Sequence, residues 1–170
     1  MKRKSGNASK SAGRTDAEFA SSPCSLHELD PASRGFLDHA ETLELLNLLL
    51  EGERAGARGL GAIGRDAPVE HRSLLADIAR DEARYCAMLS GHIERLGGKP
   101  SKKTGSFYDK LIGTEGLGAQ VDLLDRGQGW VVRRLGEILP RIEDTDLHRD
   151  LQEMLEVHER NIASCAEIPR

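Results

Sequence analysis

Along four stretches of this chain, apolar residues recur at three- and four-residue intervals, the period of a helix that buries one face. In the first stretch Leu43, Leu46, Leu50, Ala57 and Leu60 form the stripe, and Glu53 takes the place of the next buried side chain. The second reads Leu75, Ile78, Leu89, Ile93 and Leu96, with Glu82 and Tyr85 in the seam. The third, Val121, Leu124, Val131, Leu135 and Ile138, is interrupted by Gln128. The fourth, Leu147, Leu151, Met154, Cys165 and Ile168, turns His158 and Asn161 inward.

End signals bound these helices. The first opens near Asp38, where Asp38 and Glu41 have the spacing of a capping box, and runs to about Gly64. Its Gly52, Gly56, Gly59 and Gly61 each cost about 1 kcal/mol of helix propensity relative to Ala, which predicts close packing or a loose helix. The second starts after "RDAP", with Asp66 as the expected cap and Pro68 in the first turn, and stops at Gly97 and Gly98. The third spans about Leu117 to Leu139 and the fourth about Thr145 to Ile168. Two short connections flank one of about 20 residues, long enough to cross a bundle from end to end, with a short helix expected around Phe107 to Ile112. The expectation is an all-α, antiparallel four-helix bundle with one long crossover between helices two and three. Hydrophobic residues at 38% and aromatics at 4% suit packed helices better than a sandwich or barrel. Residues 1–35, beginning "MKRKSGNASKSAGR", carry no apolar period and are expected to form a flexible basic tail, leaving 36–170 for the bundle.

Each polar interruption falls near the middle of its helix. With matched ends, Glu53, Glu82, Tyr85, Gln128, His158 and Asn161 come to one height in the core. A buried polar group without a partner costs on the order of 1 to 3 kcal/mol, and six would cancel most of a small domain's stability of about 5 to 15 kcal/mol. They must therefore satisfy one another or hold a ligand. Glu82 with Tyr85, and His158 with Asn161, are i, i+3 pairs on one helix face. Bundles that hold two metals use one Glu on each of two helices and Glu-x-x-His on each of the other two.

On these residues the chain from Asp38 to Ile168 resembles the ferritin-like superfamily, with bacterioferritin the clearest comparison. It is more similar still to a group of bacterial ferritin-like proteins for which no reaction is assigned. "LNLLLEGERAGA" is similar to the first-helix motif and puts Glu53 on its metal-ligand Glu. "DEARYCAMLSGHIERLGGKP" places Glu82 and Tyr85 on the Glu and His of the second helix, "GQGWVVRRLGEIL" places Gln128 on the third-helix Glu, and "HERNI" places His158 and Asn161 on the fourth-helix Glu and His. The resemblance implies a pattern of four carboxylates and two imidazoles, whereas this chain keeps two Glu, one His and three neutral groups. These cannot offset the four positive charges of two ferrous ions, and a two-iron centre is not expected.

Two functions remain open. In the first, Glu53, Glu82 and His158 hold one divalent metal (Fe, Mn or Zn) for redox chemistry, with Gln128, Tyr85 and Asn161 around it and Tyr85 able to donate a proton or an electron. In the second, the degenerate layer is a hydrogen-bonded network in a non-catalytic bundle that acts as a dimerisation or partner-binding module. An organic ligand in the layer is the remaining reading, with Gly127 and Gly129 leaving room beside Gln128. A homodimer follows from the resemblance alone.

The net charge of −4 argues against nucleic acid as a partner of the bundle, and the five charges of Lys2, Arg3, Lys4, Lys10 and Arg14 would give only weak, salt-sensitive binding. No run approaches the roughly 20 apolar residues of a membrane span, and no apolar segment follows the basic N-terminus, so a cytoplasmic protein with no membrane partner is expected. Cys24, Cys86 and Cys165 match no metal-ligand spacing, and the last two are expected as small buried hydrophobes. His27, His39, His71, His92 and His148 are expected as partly exposed or capping residues, and Trp130, Tyr108 and Phe107 as packing residues near the crossover.

Overall fold

The structure is a computed structural model and describes residues 34–170. The expected tail of residues 1–35, with Cys24 and His27, falls outside the described residues except for its last two positions. Helices α1 (His39–Asp66), α2 (Val69–Arg95), α4 (Leu117–Ile138) and α5 (Thr145–Cys165) form the bundle, and a short α3 (Phe107–Ile112) lies within the crossover.

The capping box of α1 is complete. The Glu41 backbone N–H donates to Asp38 Oδ1 at 2.8 Å and the Asp38 N–H donates to Glu41 Oε2 at 2.9 Å. Asp66 is the last residue of α1 and does not cap α2, which begins behind Pro68 without a side-chain cap. The Pro68 carbonyl accepts from the His71 backbone N–H at 3.0 Å, so the first turn of α2 is closed by the backbone itself. Only Ala67 and Pro68 separate α1 from α2. At the far end of α4 the chain passes into a 3₁₀ turn, Leu139–Arg141, since Pro140 cannot continue the α-helical ladder.

The apolar stripes pack into two clusters. One gathers Leu46 and Leu50 of α1, Leu89 and Ile93 of α2, Leu135 of α4 and Leu151 of α5. The other gathers Leu60 and Ile63, Leu75 and Ile78, Val121 and Leu124, and Cys165 with Ile168. From N- to C-terminus, α1 and α5 run from the first cluster to the second, while α2 and α4 run from the second to the first. Each hairpin is thus antiparallel, and the crossover returns the chain along the length of the bundle. On the way Leu111 of α3 is fully buried against Gly59 of α1, where an added Cβ would stand 2.6 Å from its methyl. Gly59 is there because α3 comes that close.

A polar clamp ties the end of α2 to the start of α5. Arg95 donates to Asp144 at 2.7 Å, and Asp144, the N-cap of α5, also accepts from the Leu147 backbone N–H at 2.9 Å. Arg95 donates to His92 Nδ1 at 2.9 Å as well, which leaves the ring proton on Nε2, 2.8 Å from Asp150. His92 is therefore buried between helices rather than partly exposed. Its partner sits on another helix, which the periodicity of its own helix could not reveal. The Arg95 hydrogen bond, followed by the backbone N–H of Leu147, holds the Asp144 carboxyl below the usual carboxylate range. A depressed folded pKa contributes stability above the unfolded value and loses it as pH falls through the folded one. Asp144→Ala is expected to cost about 1 kcal/mol at neutral pH, as for other N-cap losses, and to cost progressively less in acid denaturation series. An unchanged penalty below the carboxylate range would show that the cap acts through something other than its charge.

Candidate functional site

Between the two apolar clusters lies a layer that is not apolar. Glu53 is 2% exposed, Glu82 3%, Gln128 3% and His158 1%, so these four are cut off from bulk water. Tyr85 and Asn161 are buried beside them. The side chains meet in two pairs. His158 Nε2 lies 3.2 Å from Glu53 Oε1, while its Nδ1 donates to the Met154 carbonyl at 2.9 Å. The Gln128 amide donates to Glu82 Oε1 at 2.5 Å. The carbonyl of Met154, one turn earlier on the same helix, sets the orientation of the imidazole, and sequence reading had missed it.

Several atoms of the layer remain unpartnered. Glu53 Oε2, Glu82 Oε2, Gln128 Oε1 and Asn161 Nδ2 are buried with no hydrogen bond. Native interiors leave few such groups, and each calls for a physical reason. The Tyr85 hydroxyl turns away from the layer, accepting from Arg84 at 2.8 Å and lying 3.5 Å from the Glu153 carbonyl, so that only its ring, 5.7 Å from that of His158, borders the site.

Burial, followed by the nearby charge of Glu53, raises the Glu82 pKa well above the carboxylate range, with the Gln128 hydrogen bond opposing. For His158 burial disfavours the charged ring, but the charge and hydrogen bond of Glu53 and the Met154 carbonyl outweigh it, and the net shift is upward. Burial pushes the Tyr85 phenol up to about 12, so it stays protonated. Burial likewise raises the thiols of Cys86, to about 11, and Cys165, to about 12. Cys165 is fully buried as expected, and Cys86 is half-buried.

Gly56 is the seat of the Glu82 carboxyl. A Cβ there would fall 1.7 Å from Glu82 Oε2 and within 2.8 Å of Oε1. The glycines of α1 held the signal for this close approach, without naming what approaches. Beside the layer a cavity of about 590 Å³ opens between α1, the crossover and α4. Glu53, Glu82, Gln128 and His158 line its inner end, Leu48, Phe107 and Leu123 its walls, and Trp130 its edge. Trp130, expected as a packing residue, is 40% exposed there. Gly127 admits the Phe107 ring, which a Cβ would meet at 2.9 Å.

Two carboxylates cannot balance two divalent ions, so the donor set does not fit a two-metal centre. For one divalent ion the charges balance, and the three unpartnered oxygens are of the right kind. Among the described residues no three His, Cys, Asp or Glu side chains stand close enough together to form a metal-binding group as placed. None of the described helices is long and apolar enough to cross a membrane.

No curated protein matches the chain. A crystal structure described as that of ferritin like, diiron-carboxylate proteins from Bacillus anthracis str. Ames is similar over 75% of this chain and 94% of its own, with a TM-score of 0.65 at 17% sequence identity. At that identity the likeness establishes the ferritin-like fold, in agreement with the two hairpins and the crossover. The pattern of a protein family described as "Domain of unknown function (DUF6306)" matches residues 40–167. This chain belongs to the DUF6306 family, and its fold is that of the ferritin-like superfamily.

Proposed function

We propose that the protein binds a single divalent cation (Fe, Mn or Zn) through Glu53, Glu82 and His158, with Gln128 beside it, as a one-metal descendant of a two-metal layer. The observation that carries this reading is the set of three buried oxygens without a donor, Glu53 Oε2, Glu82 Oε2 and Gln128 Oε1. A cation drawing these oxygens together would supply the partner that the pairs Glu53–His158 and Glu82–Gln128 leave missing. The imidazole supports it too. A backbone carbonyl holding Nδ1–H presents Nε2 as the ligand atom, the usual outer-shell arrangement for a metal-bound histidine. When bound, an ion of this class supplies a Lewis acid and, if iron or manganese, a redox centre. The protein's own contribution is a dry site with a fixed imidazole orientation, the Tyr85 ring packed beside it, Asn161 in the same turn and access through the cavity.

A second reading has its own support. The pairs Glu53–His158 and Glu82–Gln128 are already formed, and a metal-free bundle with this layer could serve as a dimerisation or partner-binding module. Elemental analysis separates the two. Untagged protein reconstituted with iron, manganese or zinc is expected to retain close to one equivalent, and His158→Ala to lose it while staying helical by circular dichroism. Only traces of metal in the reconstituted wild type would leave the second reading standing alone.

A further inference from the structure

The glycine at position 52 has no packing reason to be a glycine. It sits in the middle of α1, where it costs about 1 kcal/mol against Ala, and an added Cβ there would meet nothing within 4 Å. Gly56 and Gly59 on the same helix are filled against by Glu82 and Leu111. Gly52 instead lines the cavity. A side chain at this position would project into open space next to the layer, so the absent side chain keeps that space open.

Charge and polarity vary along the same cavity. Its walls are mainly apolar, and two exposed cations, Lys110 and Arg126, mark the mouth next to Trp130. Among the described residues neither cation is held in a salt bridge. Glu51 also borders the mouth, where its carboxylate accepts from the Ser101 hydroxyl at 2.5 Å, so two cationic side chains stand there against one acidic one. A volume of about 590 Å³ is that of a small-molecule pocket, and pockets of this kind are apolar with a few placed polar groups.

We propose that the cavity binds a small organic carboxylate with an apolar body, the carboxylate held by Lys110 and Arg126 and the body lying over Gly52 against Leu48, Phe107 and Trp130. The site adjoins the proposed metal layer but depends on its own walls and mouth, so it is tested with and without metal. Trp130 is the single tryptophan of the chain and reports from the cavity edge by fluorescence.

Octanoate, octylamine and octanol serve as probes, in chelator and again after metal loading. Octanoate is expected to change the Trp130 emission saturably and to bind more tightly than octylamine. Lys110→Ala combined with Arg126→Ala should weaken octanoate about tenfold or more and leave octanol unchanged. Gly52→Leu should abolish binding of all three and unfold no earlier than wild type, since it fills space and gains helix propensity. The surface double variant keeps the test decisive should Gly52→Leu disturb the helix. Tighter binding of octylamine, octanoate binding that survives Gly52→Leu, or no saturable octanoate binding by either fluorescence or calorimetry would overturn the proposal. Octanoate binding without metal retention would overturn only the metal reading.

Discussion

Glu82→Gln is expected to lose the metal retention proposed for the wild type and yet, in the metal-free form, to unfold later than wild type in neutral or mildly alkaline urea. The reason is the folded environment of the carboxyl. Burial first, then the charge of Glu53, lifts its pKa on folding, while Gln128 supplies one hydrogen bond and leaves Oε2 unpartnered. Below the ordinary carboxylate range the group is protonated in both states and has no effect of this kind. As pH rises the unfolded chain releases the proton before the folded chain does, so the metal-free fold loses stability until pH passes the folded pKa. An amide of the same shape has no proton to lose, and its gain should reach about 1 to 3 kcal/mol on the alkaline side and vanish in acid. On the proposed one-metal reading a divalent cation would displace protons from the same groups, so metal retention should strengthen with pH. Denaturation midpoints of chelator-treated wild type and variant across pH provide the check. A variant less stable than wild type throughout would mean that Glu82 contributes more to the fold through its contacts than it costs through its burial.

Gly56→Ala is expected to have the opposite sign and a comparable size. Substituting alanine for glycine inside a helix ordinarily gains about 1 kcal/mol. Here the new methyl would land 1.7 Å from Glu82 Oε2 and 2.6 Å from the carboxyl carbon, so the whole carboxyl group has to leave its seat. The carboxyl is enclosed, and α1 and α2 are joined by only two residues, so neither helix can withdraw freely. Overpacking of this kind costs about 1 to 3 kcal/mol beyond the propensity gain. Combining Gly56→Ala with Glu82→Ala removes the obstructing group and should recover much of that loss, with a coupling of about 0.5 to 3 kcal/mol in a double-mutant cycle from urea unfolding. Additive losses would show that Gly56 matters for reasons unrelated to Glu82.

The bundle was legible because its causes are local and periodic. A stripe every three or four residues states which helix face is buried, and short or long connections state which helices can be neighbours. The same counting found Glu53, Glu82, Gln128 and His158, since a polar residue on an apolar stripe is buried wherever the helix packs. The ends were less legible. Asp66 has the chemistry of a cap, but α1 runs through it and Pro68 starts α2 unaided. His92 read as a surface residue because Asp150, its partner, lies 58 positions away.

What the sequence determined by itself is the set of buried faces and the presence of a polar layer at mid-height. Both follow from the 3.6-residue helical period acting on one strand of residues at a time. The partners within that layer were decided only by the tertiary structure. Whether Glu53 meets His158, whether Tyr85 turns its hydroxyl toward the site or toward Arg84, and which glycine is a seat and which an open space all depend on the distance and rotation between helices far apart in the chain. That geometry is set by the packing of the whole core, and no single helix encodes it.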